Sequence, residues 1–394
     1  MSDNTTFQYM VYGSLAIAYL VTAVGFTFLN DIGQMFIQAP RNAYITAFKW
    51  RKELKYLSVA AFLFALTVNY ITPVLSWTGI TINLVLFIPF FVSAFLLVKI
   101  MFPPKQAGAN FVSITEADQH IKDDDTVWVV EINGDARAYP HKWLAQPHVI
   151  GDKVGGEEIV MTFCDLSHLG SAYNPYINEQ KVDLDTFTQI HCNLILYDRK
   201  TDETIQQIYG ATEDTGKQMQ PYPTQVMPYA SFKRIYPDGR VLHNPPAGIK
   251  DRIVLRALLT VDAIQHDRDK PPAFPTINLE DPGIKRLHPK DLVWAVNIAD
   301  EQVVYTLDYF EHNNWVINTQ VGGKDIVLVY YLEYRTVGGF NRHINGQTIT
   351  ISDPNQIDVH GNTPHGKLIR IPVASEVFWM VWYTYYPDSV INKQ

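Results

Sequence analysis

Few residues in this 394-residue chain could carry covalent or metal chemistry, and they are unevenly placed. Both cysteines, Cys164 and Cys192, lie in one stretch together with His141, His148, His168 and His191. Cys164-Asp-Leu-Ser-His168 sets a thiol and an imidazole four positions apart, directly after a run of strand character, and His191-Cys192 precedes another such run. Two strand ends meeting in one sheet would bring Cys164, His168, His191 and Cys192 together, with His148 as a further ligand or as the group that orients one. Thiolate and imidazole donors suit zinc or copper, because soft sulfur selects these ions over hard cations. A second reading makes Cys164 a nucleophile, with His148 lowering its pKa and the backbone N–H groups of Gly170 and Ser171 receiving developing negative charge. In a third, both cysteines are buried thiols with no chemical task. No CxxC or HxxxH spacing decides among them. Phosphate-cradling glycine motifs are absent in a convincing context, so no nucleotide cofactor is expected.

The elements that must position these groups repeat. Val127-Trp-Val-Val-Glu-Ile132 returns as Val293-Trp-Ala-Val-Asn-Ile298, and Val154-Gly-Gly156 returns as Val321-Gly-Gly323. A third block, Met227-Pro-Tyr-Ala-Ser231 with Tyr236-Pro-Asp238, echoes Ile371-Pro-Val-Ala-Ser375 with Tyr386-Pro-Asp388. The runs between are short, rich in β-branched and aromatic residues, and bounded by turns such as Asn133-Gly134, which marks them as strands. The expected soluble region is therefore mainly β, made of two tandem related modules over residues 110–243 and 291–394. Residues 244–290 between them hold a helix from Ile249 to His266 and a Pro-rich linker. The two copies differ in their reactive residues: Asn314 stands for His148, Tyr331 for Cys164, and Gly346-Gln347 for His191-Cys192. The Cys/His site is thus expected in the first module alone.

Ahead of the modules, residues 1–105 contain charge-free runs from Phe7 to Leu29 and from Tyr56 to Val98. A spanning helix takes about 20 apolar residues. Three transmembrane helices are predicted, over about 7–29, 56–76 and 80–98, with a tight turn near Trp77-Thr78-Gly79. Arg41, Lys49, Arg51, Lys52 and Lys55 follow the first span, and Lys99 and Lys105 the third. The positive-inside bias then puts the soluble part in the cytoplasm of a multi-pass inner-membrane protein. No ionisable residue falls mid-span, which counts against an ion pathway. Asn69, Asn83, Pro73 and Pro89 point to helix packing or oligomerisation. The expected partners are the membrane bilayer and, alternatively, further copies or subunits of a membrane complex docking on the aromatic C-terminus. After residue 105 the chain carries 25 basic and 37 acidic residues, a poor balance for neutralising phosphates, so no nucleic acid is expected.

Val127-Trp-Val-Val-Glu-Ile-Asn-Gly-Asp-Ala-Arg-Ala-Tyr-Pro140, with His148, Val154-Gly-Gly156, Cys164 and Gly170-Ser171, resembles the bacterial family known as domain of unknown function 3179. Leu196-Tyr-Asp-Arg199 and Gln207-Ile-Tyr-Gly210 extend the similarity. It runs clearly over residues 110–243, with a weaker echo in the second module. The family's Tyr-Cys-Pro-Leu-Cys-Gly-Ser segment reads here Phe163-Cys-Asp-Leu-Ser-His-Leu-Gly-Ser171. Asp165 replaces the proline and Ser167 the second cysteine, so the thiol pair implied by the family is broken, and His168 stands nearby as a substitute ligand. The resemblance implies no settled activity. Many relatives look exported, which makes a periplasmic soluble region the alternative placement.

Overall fold

The computed structural model describes residues 2–392, with side chains from Thr5 onward. The chain divides into two units. One takes the chain up to Phe102 together with Thr186–Ile190 and Phe274–Thr276; the other takes Pro103–Asp185, His191–Ala273 and the chain from Ile277. The first is helical, with α1 (Ser2–Leu29), α2 (Arg41–Lys49), α3 (Arg51–Ile71) and α4 (Trp77–Phe95). Three of its helices are long and apolar enough to cross a membrane: Thr5–Leu29, Arg51–Ile71 and Trp77–Phe95. Their outer faces leave Leu20, Leu63, Val85 and Leu86 more than half exposed, which suits a lipid environment and suggests membrane association. Polar groups within the bundle are paired. Thr22 and Ser58 hydroxyls meet at 2.6 Å, and Tyr19 Oη donates to Asn83 Oδ1 at 3.3 Å.

The hairpin between α3 and α4 turns earlier than expected. Trp77-Thr78-Gly79 is the first turn of α4, not the loop. Pro73 disfavours helical geometry in the residue before it, and Asn69 Oδ1 accepts from the backbone of Val74 at 2.9 Å and of Leu75 at 2.6 Å. Ser76 then caps α4 by accepting from Gly79 N at 3.2 Å, as serine does at a helix start.

The second unit is sheet-rich. Its opening hairpin joins β1 (Thr126–Ile132) to β2 (Asp135–Pro140) through Asn133 and Gly134, whose φ angles are 51° and 82°. A single helical turn, α5 (His141–Leu144), leads to a meander of β3 (Val149–Val154), β4 (Glu157–Cys164) and β5 (Leu169–Tyr173). Strand β6 (Gln225–Pro228) pairs antiparallel with β1, and α6 (Tyr229–Ile235) follows it. Helix α7 spans Ile249–His266. Further on come the hairpin β7 (Leu292–Ile298) and β8 (Glu301–Tyr305), helix α8 (Leu307–His312), and the meander β9 (Val316–Val321), β10 (Lys324–Tyr331) and β11 (Thr336–Asn341). Strand β12 (Ala374–Phe378) pairs antiparallel with β7 and runs into α9 (Trp379–Tyr385).

One core joins both stretches of this unit. Trp128, Tyr139, Phe163 and Phe232 pack in the same cluster as Val327, Val329, Tyr331 and Phe340. Gly170 on β5 permits a close approach: a Cβ there would lie 2.3 Å from Trp128 Cδ1. The third repeated block read from the sequence does not occupy matching places. Met227–Ser231 runs from β6 into α6, whereas Ala374 and Ser375 lie in β12, ahead of α9. Tyr236-Pro-Asp238 and Tyr386-Pro-Asp388 do follow their helices alike.

Candidate functional site

Three segments far apart in sequence meet around His141. Pro140 ends β2 with an extended backbone and starts α5, which places His141 at the first helical position. Asp165 and His168 lie in the turn between β4 and β5. Asp262 and His266 stand one turn apart near the end of α7, on the same face because residues four apart stack along a helix. His141 Nε2 is 2.8 Å from Asp165 Oδ1 and 3.7 Å from Asp262 Oδ1, and His266 Nε2 is 3.3 Å from Asp262 Oδ1. The ligating atoms of His141, Asp165 and Asp262 all lie within 4.8 Å of one another, and this is the one such group among the described residues. It could hold a metal ion.

His168 completes the wall. Its ring sits 4.6 Å from that of His266 and 6.4 Å from that of His141, centroid to centroid. Its Nδ1 lies 2.8 Å from the carbonyl oxygen of Glu376. A carbonyl can only accept, so Nδ1 carries the proton and Nε2 keeps the lone pair. Glu376 is in a bulge: the register of β12 against β7 shifts between Val293 and Ala295, and the Glu376 φ is 59°. Bulges re-aim local groups, and here the carbonyl turns to His168. Trp128, Phe163 and Phe378 pack their rings against the histidines.

Electrostatics in this enclosure favour an added positive charge. Burial works against a proton on His141, but the hydrogen bond and charge of Asp165 outweigh it and raise its pKa. Burial likewise opposes ionisation of Asp262, yet the hydrogen bond from His266 and the charges of His141 and His266 hold its pKa below the usual value. Burial pushes the Glu376 carboxyl up to about 7, with His266 and Arg335 opposing the rise. Asp165 Oδ2 is buried without a hydrogen bond, while Asp262 Oδ1 faces both His141 Nε2 and His266 Nε2. Buried carboxylate oxygens are stabilised by pairing or by a cation.

None of the five residues singled out from the sequence belongs to the His141, Asp165, Asp262 group. His168 lies beside it. Cys164 and Cys192 are buried and form no disulfide, and the Cys164 thiol points at the Cys192 carbonyl oxygen at 3.8 Å. Burial pushes the Cys164 thiol up to about 11, so it is protonated at neutral pH. His148 is buried at the entry to β3, and burial lowers its pKa to about 3. The ring of His191 lies 6.5 Å from that of Tyr385. Asp262 and His266 were not recognised from the sequence as site residues. Their four-residue spacing near the helix end was the available signal.

No curated protein and no solved structure matches the chain. A family match runs from residue 104 to residue 389, through both stretches of the sheet-rich unit and beyond the region where the resemblance was clear by eye. On that match the chain belongs to the DUF3179 family, described as proteins of unknown function.

Proposed function

We propose that this is a membrane-anchored protein whose sheet-rich unit binds a divalent metal through His141, Asp165 and Asp262, with His168 Nε2 as a further donor. The observation that carries this reading is the convergence of an imidazole and two carboxylates, one of whose oxygens, Asp165 Oδ2, is buried without a hydrogen bond. His168 adds a familiar mark of a metal ligand, a ring held by a backbone carbonyl on its other nitrogen. Imidazole nitrogen with carboxylate oxygen suits zinc. The sulfur that favoured copper is not in this group, so zinc is the ion proposed. When bound, such an ion polarises a substrate oxygen or lowers the pKa of a water. To serve as a ligand, His141 Nε2 would have to be free of the proton in its hydrogen bond with Asp165. Trp128, Phe163 and Phe378 supply an apolar wall beside His168 and His141.

Elemental analysis of the full chain purified in detergent tests this. Wild type should carry about one metal per chain, lost in a His141→Ala, Asp262→Asn double variant. A metal-free wild type, purified without chelator and still metal-free after incubation with zinc, would overturn it.

Two related halves within one unit make up the accompanying architecture. The support is the same succession of hairpin, short helix and three-stranded meander in each, closed by a strand that pairs back on the hairpin. A superposition in which those strands failed to coincide would refute the duplication. Lipid is the proposed partner of the apolar helices, with self-association or a membrane complex as the alternative, and the acidic sheet-rich unit makes nucleic acid an unsuitable one. The basic loop after α1 supports a cytoplasmic side for that unit, with the periplasm as the alternative.

A further inference from the structure

We propose that Gln265 is the positioning residue that sets the affinity of this centre, an inference that rests on the metal reading above. Gln265 lies on α7 between Asp262 and His266 and is fully buried, at 0% exposure. Its Nε2 donates to the carbonyl of Leu166 at 2.7 Å, and Leu166 belongs to the turn that carries Asp165 and His168. Its Oε1 accepts from the backbone N–H of Ala273 at 3.0 Å, in the chain that leaves the helix. One amide therefore joins the helix supplying one carboxylate to the turn supplying the other. Neither ligand segment can move away from its partner without breaking the bond to Leu166.

The clasp has an opposing load. Asp165 and Asp262 are acidic groups in one small enclosure with a single histidine between them. Without a cation, like charges at this range favour separation of the two segments. The far end of α7 is held independently. Lys290, 4% exposed, donates from its ammonium to the carbonyls of Ile264 and Asp267, each at 2.7 Å. Cations are stabilising at that end of a helix. With Lys290 holding the helix terminus, Gln265 fixes its spacing from the ligand turn. Groups that hold ligands in place typically change metal affinity about 10–100-fold when removed.

The test is a cobalt titration of the full chain in detergent, read from the visible ligand-field bands of bound Co²⁺, for wild type, Gln265→Met and Gln225→Met. Gln225 is the control for losing a buried amide, because its Nε2 donates to the Val337 carbonyl at 3.3 Å, in β11. Gln265→Met should weaken Co²⁺ binding about 10–100-fold and alter the band shape, while Gln225→Met leaves both unchanged. Equal affinities in the two variants would overturn the positioning role and leave the metal centre standing. Failure of wild type itself to bind Co²⁺ would overturn the metal reading and this inference with it. Should Gln265→Met not accumulate, Gln265→Asn keeps the amide on a stem one methylene too short to reach Leu166, and the same loss is expected.

Discussion

Acidification should destabilise the fold through His148, and the structure supplies the size of the effect. His148 is 6% exposed, and burial holds its pKa at about 3 against an ordinary 6.5. The unfolded chain binds the proton first as pH falls. Stability is therefore full above 6.5 and declines between 6.5 and 3. From pH 7 to pH 5 the unfolded imidazole gains about 1.5 decades of protonation that the folded one does not, which is about 2 kcal/mol. The backbone supplies a suitable reference variant. His148 has φ 56°, a region asparagine enters readily. His148→Asn keeps that geometry and removes the titration. Thermal unfolding of both proteins in detergent at pH 7 and pH 5 should show wild type losing about 4–8 °C more than the variant, from a slope of about 2–4 °C per kcal/mol in a unit of this size. Groups common to both proteins, including His141, cancel in the difference. Parallel pH profiles would refute the claim that burial keeps His148 neutral.

Two further outcomes are expected. Cys164 and Cys192 are buried, and the Cys164 pKa near 11 lies about two units above that of an ordinary thiol, so the Cys164 thiolate at neutral pH should be about 100-fold scarcer than on an exposed thiol. Iodoacetamide should leave both unmodified in the native protein and label both in denaturant; fast native labelling of Cys164, counted by mass spectrometry, would revive a nucleophilic role. The cytoplasmic placement predicts that a C-terminal alkaline phosphatase fusion stays inactive, whereas strong activity would put the sheet-rich unit in the periplasm.

The helices and hairpins were readable because each has a local cause. Charge-free runs longer than a bilayer's hydrocarbon thickness leave little alternative to a span, and Asn133-Gly134 supplies two positive φ angles on its own. The α3–α4 turn was misplaced because Trp-Thr-Gly has turn-like composition, while the deciding groups were Pro73 and the Asn69 and Ser76 side chains. The apolar spacing of α7 was readable from Ile253, Leu258 and Ile264. That pattern shows which face packs and says nothing about Asp262 and His266, whose meaning depends on the turn bearing Asp165 arriving beside them. His141 and His168 stood out by residue type. Asp165 stood out only as a replacement for proline. The cysteines stood out because sulfur is rare in this chain; both are buried in the core, apart from the His141, Asp165, Asp262 group.

Left-handed backbone at a chemically able residue separates two cases here. His148, His168, His191, Cys192 and Glu376 all have positive φ, a conformation that stores strain in residues other than glycine. The backbone sets Trp315, not Asn314 as the sequence suggested, in the place of His148. Each stands directly ahead of its strand and accepts from the next strand, Phe163 N to His148 O and Tyr330 N to Trp315 O, both at 2.9 Å. With φ 68° at Trp315, the conformation belongs to the turn. His168 has φ 53° and Arg335, just before β11, has φ 48°, so that angle too comes with the chain path. What distinguishes His168 is its place beside His141 and His266. The bulge at Glu376 delivers a carbonyl to Nδ1, and the lone pair is left on the other nitrogen. The His148 ring is kept neutral by burial, against a backbone hydrogen bond at Leu144 that opposes the shift. Strain alone therefore marks a turn, and what sets His168 apart is a ring that also lies beside those of His141 and His266. Flattening the bulge should disturb His168 as a donor while leaving the turn at His148 intact.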